Sequence, residues 1–272
     1  MSKSDYLRIC SYETVFYYQN RVIIVMEYLY NSLFDVIVER GFHGFRSYDI
    51  HQFLGNVLEG VRSLHRIQLV HTDIKPQNIL LVSKKDFNVK VADFGTSFAL
   101  GTDIIYPVQT LNYRAPETIL HLPLDEKIDM WSCGCLAMEL FNGFPLFIVN
   151  SEQNMICSIK KLIGDIPAEM VDRSPVKSNF FVDGCLLSPE EFQSQPNIPI
   201  FKTCFSKLHN FHYYFDSYHI SPSSRPEFIQ TETHNISHLH SLVSGLLEID
   251  PRKRLSAEQA LSHPFFSDFK KD

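Results

Sequence analysis

The run His71-Thr72-Asp73-Ile74-Lys75-Pro76-Gln77-Asn78 places a carboxylate, an ammonium and a carboxamide close together, and Asp93-Phe94-Gly95 adds a second carboxylate further on. A carboxylate can orient a hydroxyl and accept its proton. A lysine two residues along an extended loop points the same way as that carboxylate and can neutralise a developing anion. A carboxamide and a carboxylate offer neutral and anionic oxygen to a hard cation such as magnesium. A plainer reading makes Asp73 and Asp93 turn carboxylates and Asn78 a cap.

Such a set has to be held by regular elements. Tyr12 to Tyr18 and Val22 to Glu27 are rich in β-branched and aromatic residues and flank Gln19-Asn20, which predicts a hairpin. Ile50, Phe53, Leu54, Val57, Leu58, Val61 and Leu64 recur at helical spacing and predict a core helix. Ile79 to Val82 and Val89 to Ala92 read as two short strands around a polar SKKD turn. Ile128 to Phe141 is apolar on nearly every face, the pattern of a helix at the centre of a domain, with Cys133 and Cys135 as core thiols. Helices are further expected at Ser151 to Ile163 and Ile236 to Leu247, and the Ser256 to Gln259 capping box starts a last short one. Between about Gly164 and Asn235 the pattern is less regular. The His209 to His219 stretch there reads as aromatic packing before it reads as a metal cluster.

The chain has 272 residues, 44% hydrophobic and 21% charged, with net charge −6. That composition buries one large core or two small ones and excludes a disordered chain. The acidic balance gives no electrostatic footprint for nucleic acid. The apolar runs are too short to span a membrane, and MSKSDYLRIC does not read as a secretory signal. Six cysteines without a CxxC pair read as reduced thiols rather than disulfides or a zinc site. The expectation is an intracellular protein of cytoplasm or nucleus.

With Ala115-Pro116-Glu117 as a third block in order, the catalytic and DFG-type loops resemble those of the protein kinases, and the resemblance covers nearly all of the chain. It implies an ATP-dependent kinase using Mg2+ and acting on protein substrates. In that resemblance Asp73 is the base, Lys75 neutralises charge on the γ-phosphate, and Asn78 and Asp93 hold magnesium. Met26 guards the adenine pocket, Glu27, Tyr28 and Leu29 form the hinge, and Leu80 adds to the nucleotide site. His71 and Phe94 belong to a stacked apolar spine, Asp129 anchors the catalytic loop, and Glu117 pairs with Arg254. Arg252 and Lys253 are left as solvated charges.

Tyr113-Arg114-Ala115-Pro116-Glu117, the long insert and LPLDEKIDMWSCGCLAMEL are similar to the CMGC group. Within it the likeness is to the dual-specificity tyrosine-regulated and homeodomain-interacting kinases, with the CDC-like and SR-protein kinases near. Thr110, by the same likeness, favours serine or threonine acceptors, and Arg114 is linked with proline after the acceptor. Thr72 replaces the usual catalytic-loop arginine, so the cationic dock for a phosphorylated activation loop is missing. The activation-loop tyrosine falls at Pro107, beside Tyr106, and tyrosine autophosphorylation does not carry over.

The resemblance implies a mainly α, α+β fold: a kinase domain over 1–272, with residues 1–26 as a remnant amino-lobe hairpin, 27–29 as hinge and 30–272 as helical lobe, with an insert at about 164–235. The sequence contains no GxGxxG, and the only lysine before Lys75 is Lys3. Two explanations stand. Either the sequence belongs to a working kinase cut short ahead of its hairpin, or it is an inactive kinase-like module that binds a partner through its helical lobe.

Overall fold

The computed structural model describes residues 7–84, 86–102, 104, 107–182, 184–187, 215, 218 and 225–270. Strands β1 (Tyr12–Tyr18) and β2 (Arg21–Met26) pair antiparallel with Tyr18 opposite Arg21. Gln19 and Asn20 close the turn at φ of 46° and 59°, the left-handed geometry that matches the twist of a two-residue hairpin. Every residue of β1 and four of the six in β2 are exposed.

Helix α1 (Leu33–Glu39) follows, capped reciprocally by Ser32 and Asp35. Its signal, Ser-x-x-Asp, is a short-armed version of the usual capping box and was not among the expected elements. Helix α2 (Ser47–Arg66) buries its whole predicted stripe from Ile50 to Leu64. Next come β3 (Leu69–Val70), β4 (Ile79–Leu81), β5 (Val89–Val91) and β6 (Phe98–Ala99). They pair antiparallel as β4 with β5 and β3 with β6. The two small ladders bracket the catalytic-type loop and the Asp93 turn.

After the short α3 (Pro116–Ile119), helix α4 (Lys127–Asn142) buries every side chain from Ile128 to Phe141. Helix α2 packs on it, as does the later helix over Pro226–Leu246. Gly143 ends α4 at φ 86°, where an added Cβ would stand 2.0 Å from the Phe42 carbonyl oxygen. Only glycine permits both that backbone and that approach. Helix α5 (Glu152–Leu162) starts on Ser151, whose hydroxyl accepts from the Asn154 N–H.

The predicted irregular segment is more ordered at both ends than its composition suggests. It holds α6 (Ala168–Arg173) and the small hairpin β7 (Phe181–Val182) with β8 (Cys185–Leu186). Helix α7 (Pro226–Leu246) begins well before Ile236, because Pro226 sits at its first turn, where a missing N–H is harmless. Of the His209 to His219 stretch only Phe215 and Tyr218 are described, and both pack on Phe141, with ring centroids at 4.8 and 5.2 Å. The other residues of that stretch, Cys204 and Tyr106 lie outside the described residues.

Helix α8 (Ala257–Leu261) has its capping box between Ser256 and Gln259, and α9 (Pro264–Ser267) closes the described chain. Cys133 and Cys135 are buried, as read. Arg252 is exposed but not free: it bonds Glu169 at 2.8 Å and Asp250 at 2.9 Å, since α6 presents an acidic partner that the linear sequence hides. Among the described residues no helix is long and apolar enough to cross a membrane.

Candidate active site

Asp129, wholly buried on α4, sets the catalytic loop. Its two carboxylate oxygens accept the backbone N–H groups of His71 and Thr72, each at 2.8 Å, and Oδ2 also meets His65 Nε2 at 2.9 Å. Burial pushes this carboxyl up, but the His65 and His71 interactions outweigh it and hold it below the ordinary range. Thr72, at φ 70°, pays in strain for that double capture and bonds Thr96 with its hydroxyl. The loop is thus held by the most buried helix rather than by its own propensity.

His71 is fully buried and edge-on to Phe94 at 5.0 Å. Its Nδ1 accepts the Asp73 N–H at 3.2 Å, so Nε2 carries the proton and donates to the Ala92 carbonyl at 3.0 Å. Desolvation lowers the His71 pKa, which keeps the ring neutral. One imidazole therefore ties the loop to the strand that leads to Asp93.

The chemistry converges on Asp73. Its Oδ1 accepts the Thr110 hydroxyl at 2.6 Å, and Oδ2 accepts from Asn78 Nδ2 and faces Lys75 Nζ, both at 2.8 Å. Lys75 Nζ also donates to Thr110 Oγ1 at 2.9 Å. Burial raises the Asp73 carboxyl, but the bonds from Lys75 and Thr110, with the Lys75 charge and Asn78, bring it below its ordinary value. At neutral pH Asp73 is an ionised acceptor beside a cation.

Asn78 is buried, and its carbonyl accepts the Ala92 N–H at 2.9 Å, so Asn78 and Asp93 flank one end of the β4–β5 ladder. Asp93 is exposed at φ 65° and accepts the Gly95 N–H. These two oxygen-bearing side chains fit a hard divalent cation by donor type: Asn78 commits its Nδ2 to Asp73, which leaves its amide oxygen as the group to offer.

Lys75, Gln77, Asn78, Thr110, Tyr113 and Glu139 line a cavity of about 430 Å³. The predicted hinge does not reach it. Met26 and Tyr28 are exposed, and Leu29 and Leu80 are partly buried. The Glu27 side chain turns to Lys90, with both oxygens at 2.7 Å. The structure thus brings together Asp73, Lys75, Asn78 and Thr110, with Asp93 adjacent in the fold, and leaves Met26, Glu27, Tyr28, Leu29 and Leu80 outside the cavity.

The protein kinase domain family matches residues 1–266. The chain belongs to the protein kinase family. It is 32% identical to dual specificity protein kinase YAK1 of Saccharomyces cerevisiae over 93% of this chain and 33% of that protein. It is 30% identical to serine/threonine-protein kinase AFC2 of Arabidopsis thaliana, over 93% of this chain and 61% of that one. Identity to human dual specificity protein kinase CLK1 is also 30%, over 94% and 52%. The chain therefore spans between a third and three fifths of the length of these curated relatives. The relatives agree with the CMGC-type resemblance, and the family match runs through the hairpin from residue 1, so it does not mark the amino-terminal lobe as lost.

In this kinase domain the segment from Gln109 to Glu117 is held by two pairs of side chains. Glu117 and Arg254, each 1% exposed, form a two-point pair at 2.5 and 2.9 Å, as the kinase resemblance implies. Arg114 bonds Glu152 at 2.6 Å and the Gln109 carbonyl at 2.7 Å. Two residues escaped sequence reasoning. Gln109, at φ 65°, donates to Ile128 O and Ser132 Oγ and accepts from Ala115 N–H and Thr118 Oγ1. Glu139 accepts from the buried Tyr113 hydroxyl, and desolvation raises its pKa to about 7. The signal for Glu139 was available: with Asp129 it is one of two carboxylates in a helix that is apolar on nearly every face. Nothing local in the sequence marks Gln109.

Proposed function

We propose that this chain carries the catalytic floor of an ATP-dependent kinase that phosphorylates serine or threonine in protein substrates. The observation that carries this reading is the closed network of Asp73, Lys75, Thr110 and Asn78. Asp73 is the acceptor of the substrate hydroxyl proton, and Thr110 holds its carboxylate in aim. Lys75 supplies positive charge beside the reacting oxygen, where preorganised charge lowers the barrier most. Asn78 and Asp93 would hold Mg2+, which neutralises phosphate charge when bound with ATP. In this reading residues 1–26 form the strands next to the nucleotide, 27–29 the hinge and 30–272 the helical lobe. Support comes from the antiparallel β1–β2 hairpin that directly precedes residues 27–29.

A second reading is a kinase-like binding module, favoured by the lack of a GxGxxG run in these 272 residues. Magnesium-dependent incorporation of radiolabelled phosphate into a serine- and threonine-containing peptide library separates them. The first reading expects incorporation that falls by roughly 10²- to 10⁴-fold in D73N. Equal incorporation by wild type and D73N overturns the assignment of Asp73. A thermal shift with magnesium and ATP but no incorporation supports the binding module.

A further inference from the structure

His234 and His238 stand four positions apart on α7, so their imidazoles leave the helix on one face. The ring centroids are 4.4 Å apart and the planes differ by 35°. Asp268, immediately after α9, brings a carboxylate to the same face, with Oδ2 at 3.4 Å from His234 Nε2. One ligand atom from each of the three lies within 4.8 Å of the other two.

The carboxylate is placed by backbone. Asn235, next to His234, donates to the Lys270 carbonyl at 2.9 Å and accepts the Lys270 N–H at 3.1 Å, which docks the residues after α9 along α7. His238 Nδ1 is shielded from solvent and has no hydrogen-bond partner among the described residues. A buried ring nitrogen in that condition calls for a partner that side chains do not supply.

We propose that His234, His238 and Asp268 bind a zinc ion. Two imidazoles and a carboxylate are ligands that zinc accepts, and three protein ligands leave one position for water. Tetrahedral zinc, with bonds of about 2.0–2.1 Å, sets its ligand atoms roughly 3.3 Å apart. The His234 to Asp268 separation of 3.4 Å already meets that figure, and the His238 ligand atom lies within 4.8 Å of both. Magnesium and calcium are disfavoured, since both prefer all-oxygen shells. His263 lies outside the set: its Nδ1 accepts the Phe265 N–H and its Nε2 meets Ser241 Oγ, both at 3.2 Å. The bound ion ties the end of the helical body to α7.

Titration calorimetry of Zn2+ into the 272-residue chain, with Co2+ as a spectroscopic replacement, tests the site. The expected result is one equivalent bound, a four-coordinate Co2+ spectrum, and affinity lower by at least about tenfold in H238A and in D268N. Zinc should raise the melting temperature of wild type and not of D268N. Asp268 is exposed, so D268N keeps the test valid if H238A fails to fold. The proposal is overturned if wild type takes up no zinc at micromolar metal, or if wild type and the H234A/H238A pair bind it with equal stoichiometry and affinity. Either result leaves His234 in its plain contacts with the Asp268 carboxylate and carbonyl.

Discussion

Helix α4 and the β1–β2 hairpin are both built from apolar sequence, yet one has no exposed side chain between Ile128 and Phe141 and the other has scarcely a buried one. Tyr17 is 80% exposed and Trp131 is not exposed at all. The difference lies in partners rather than pattern. A helix apolar on every face is surrounded by α2 and α7, whereas a two-stranded ribbon cannot cover itself. The loop follows the same division: the N–H groups of His71 and Thr72 are captured by Asp129 on α4, while Met26 and Tyr28 at the end of the hairpin stay exposed.

That contrast can be broken or sharpened by mutation. The largest stability effect is expected for E117A, which leaves Arg254 as an unpaired buried charge and should cost about 3–5 kcal/mol in chemical denaturation. A loss below 1 kcal/mol would show that the pair is not buried in solution. Leu58→Ala, at a fully buried position of α2, should cost roughly 2–5 kcal/mol by the same measurement.

Glu139 supplies a pH test. Its carboxyl is raised to about 7 in the folded chain from an ordinary value of 4.5, so the folded state binds the extra proton between those limits. Stability from this group is therefore greatest below the lower value and is lost as pH rises toward the upper one. E139Q should flatten that limb of a melting-temperature profile between pH 4.5 and 7. An unchanged slope would place the titration elsewhere. The smallest effect belongs to the hairpin: Tyr17→Ser should change stability by under about 0.5 kcal/mol. A loss comparable to that of L58A would mean that something covers the ribbon in solution.

Much of this was legible in the residues. The α2 stripe, the all-round apolar α4, the hairpin turn and the last capping box are local patterns, and each appears where its spacing puts it. So are Asp73, Lys75 and Asn78, because one short loop carries all three. The pairing of Glu117 with Arg254, across 137 positions, was reached only through family resemblance. Gln109 and the partners of Arg252 were not reached, because their roles are set by which distant carbonyls and carboxylates the fold brings near. The start of α7 was misplaced because its first turns carry few of the buried residues that periodicity detects.

The capture of two successive N–H groups by Asp129 also fixes a clock. Loop amides ordinarily exchange with water through small local openings. Those of His71 and Thr72 can do so only when a buried carboxylate lets go, and it can let go only when α4 moves. The loop that carries Asp73 is thereby as slow to open at its start as the centre of the molecule, although a single 3-10 turn, Pro76–Asn78, is all the regular structure it has.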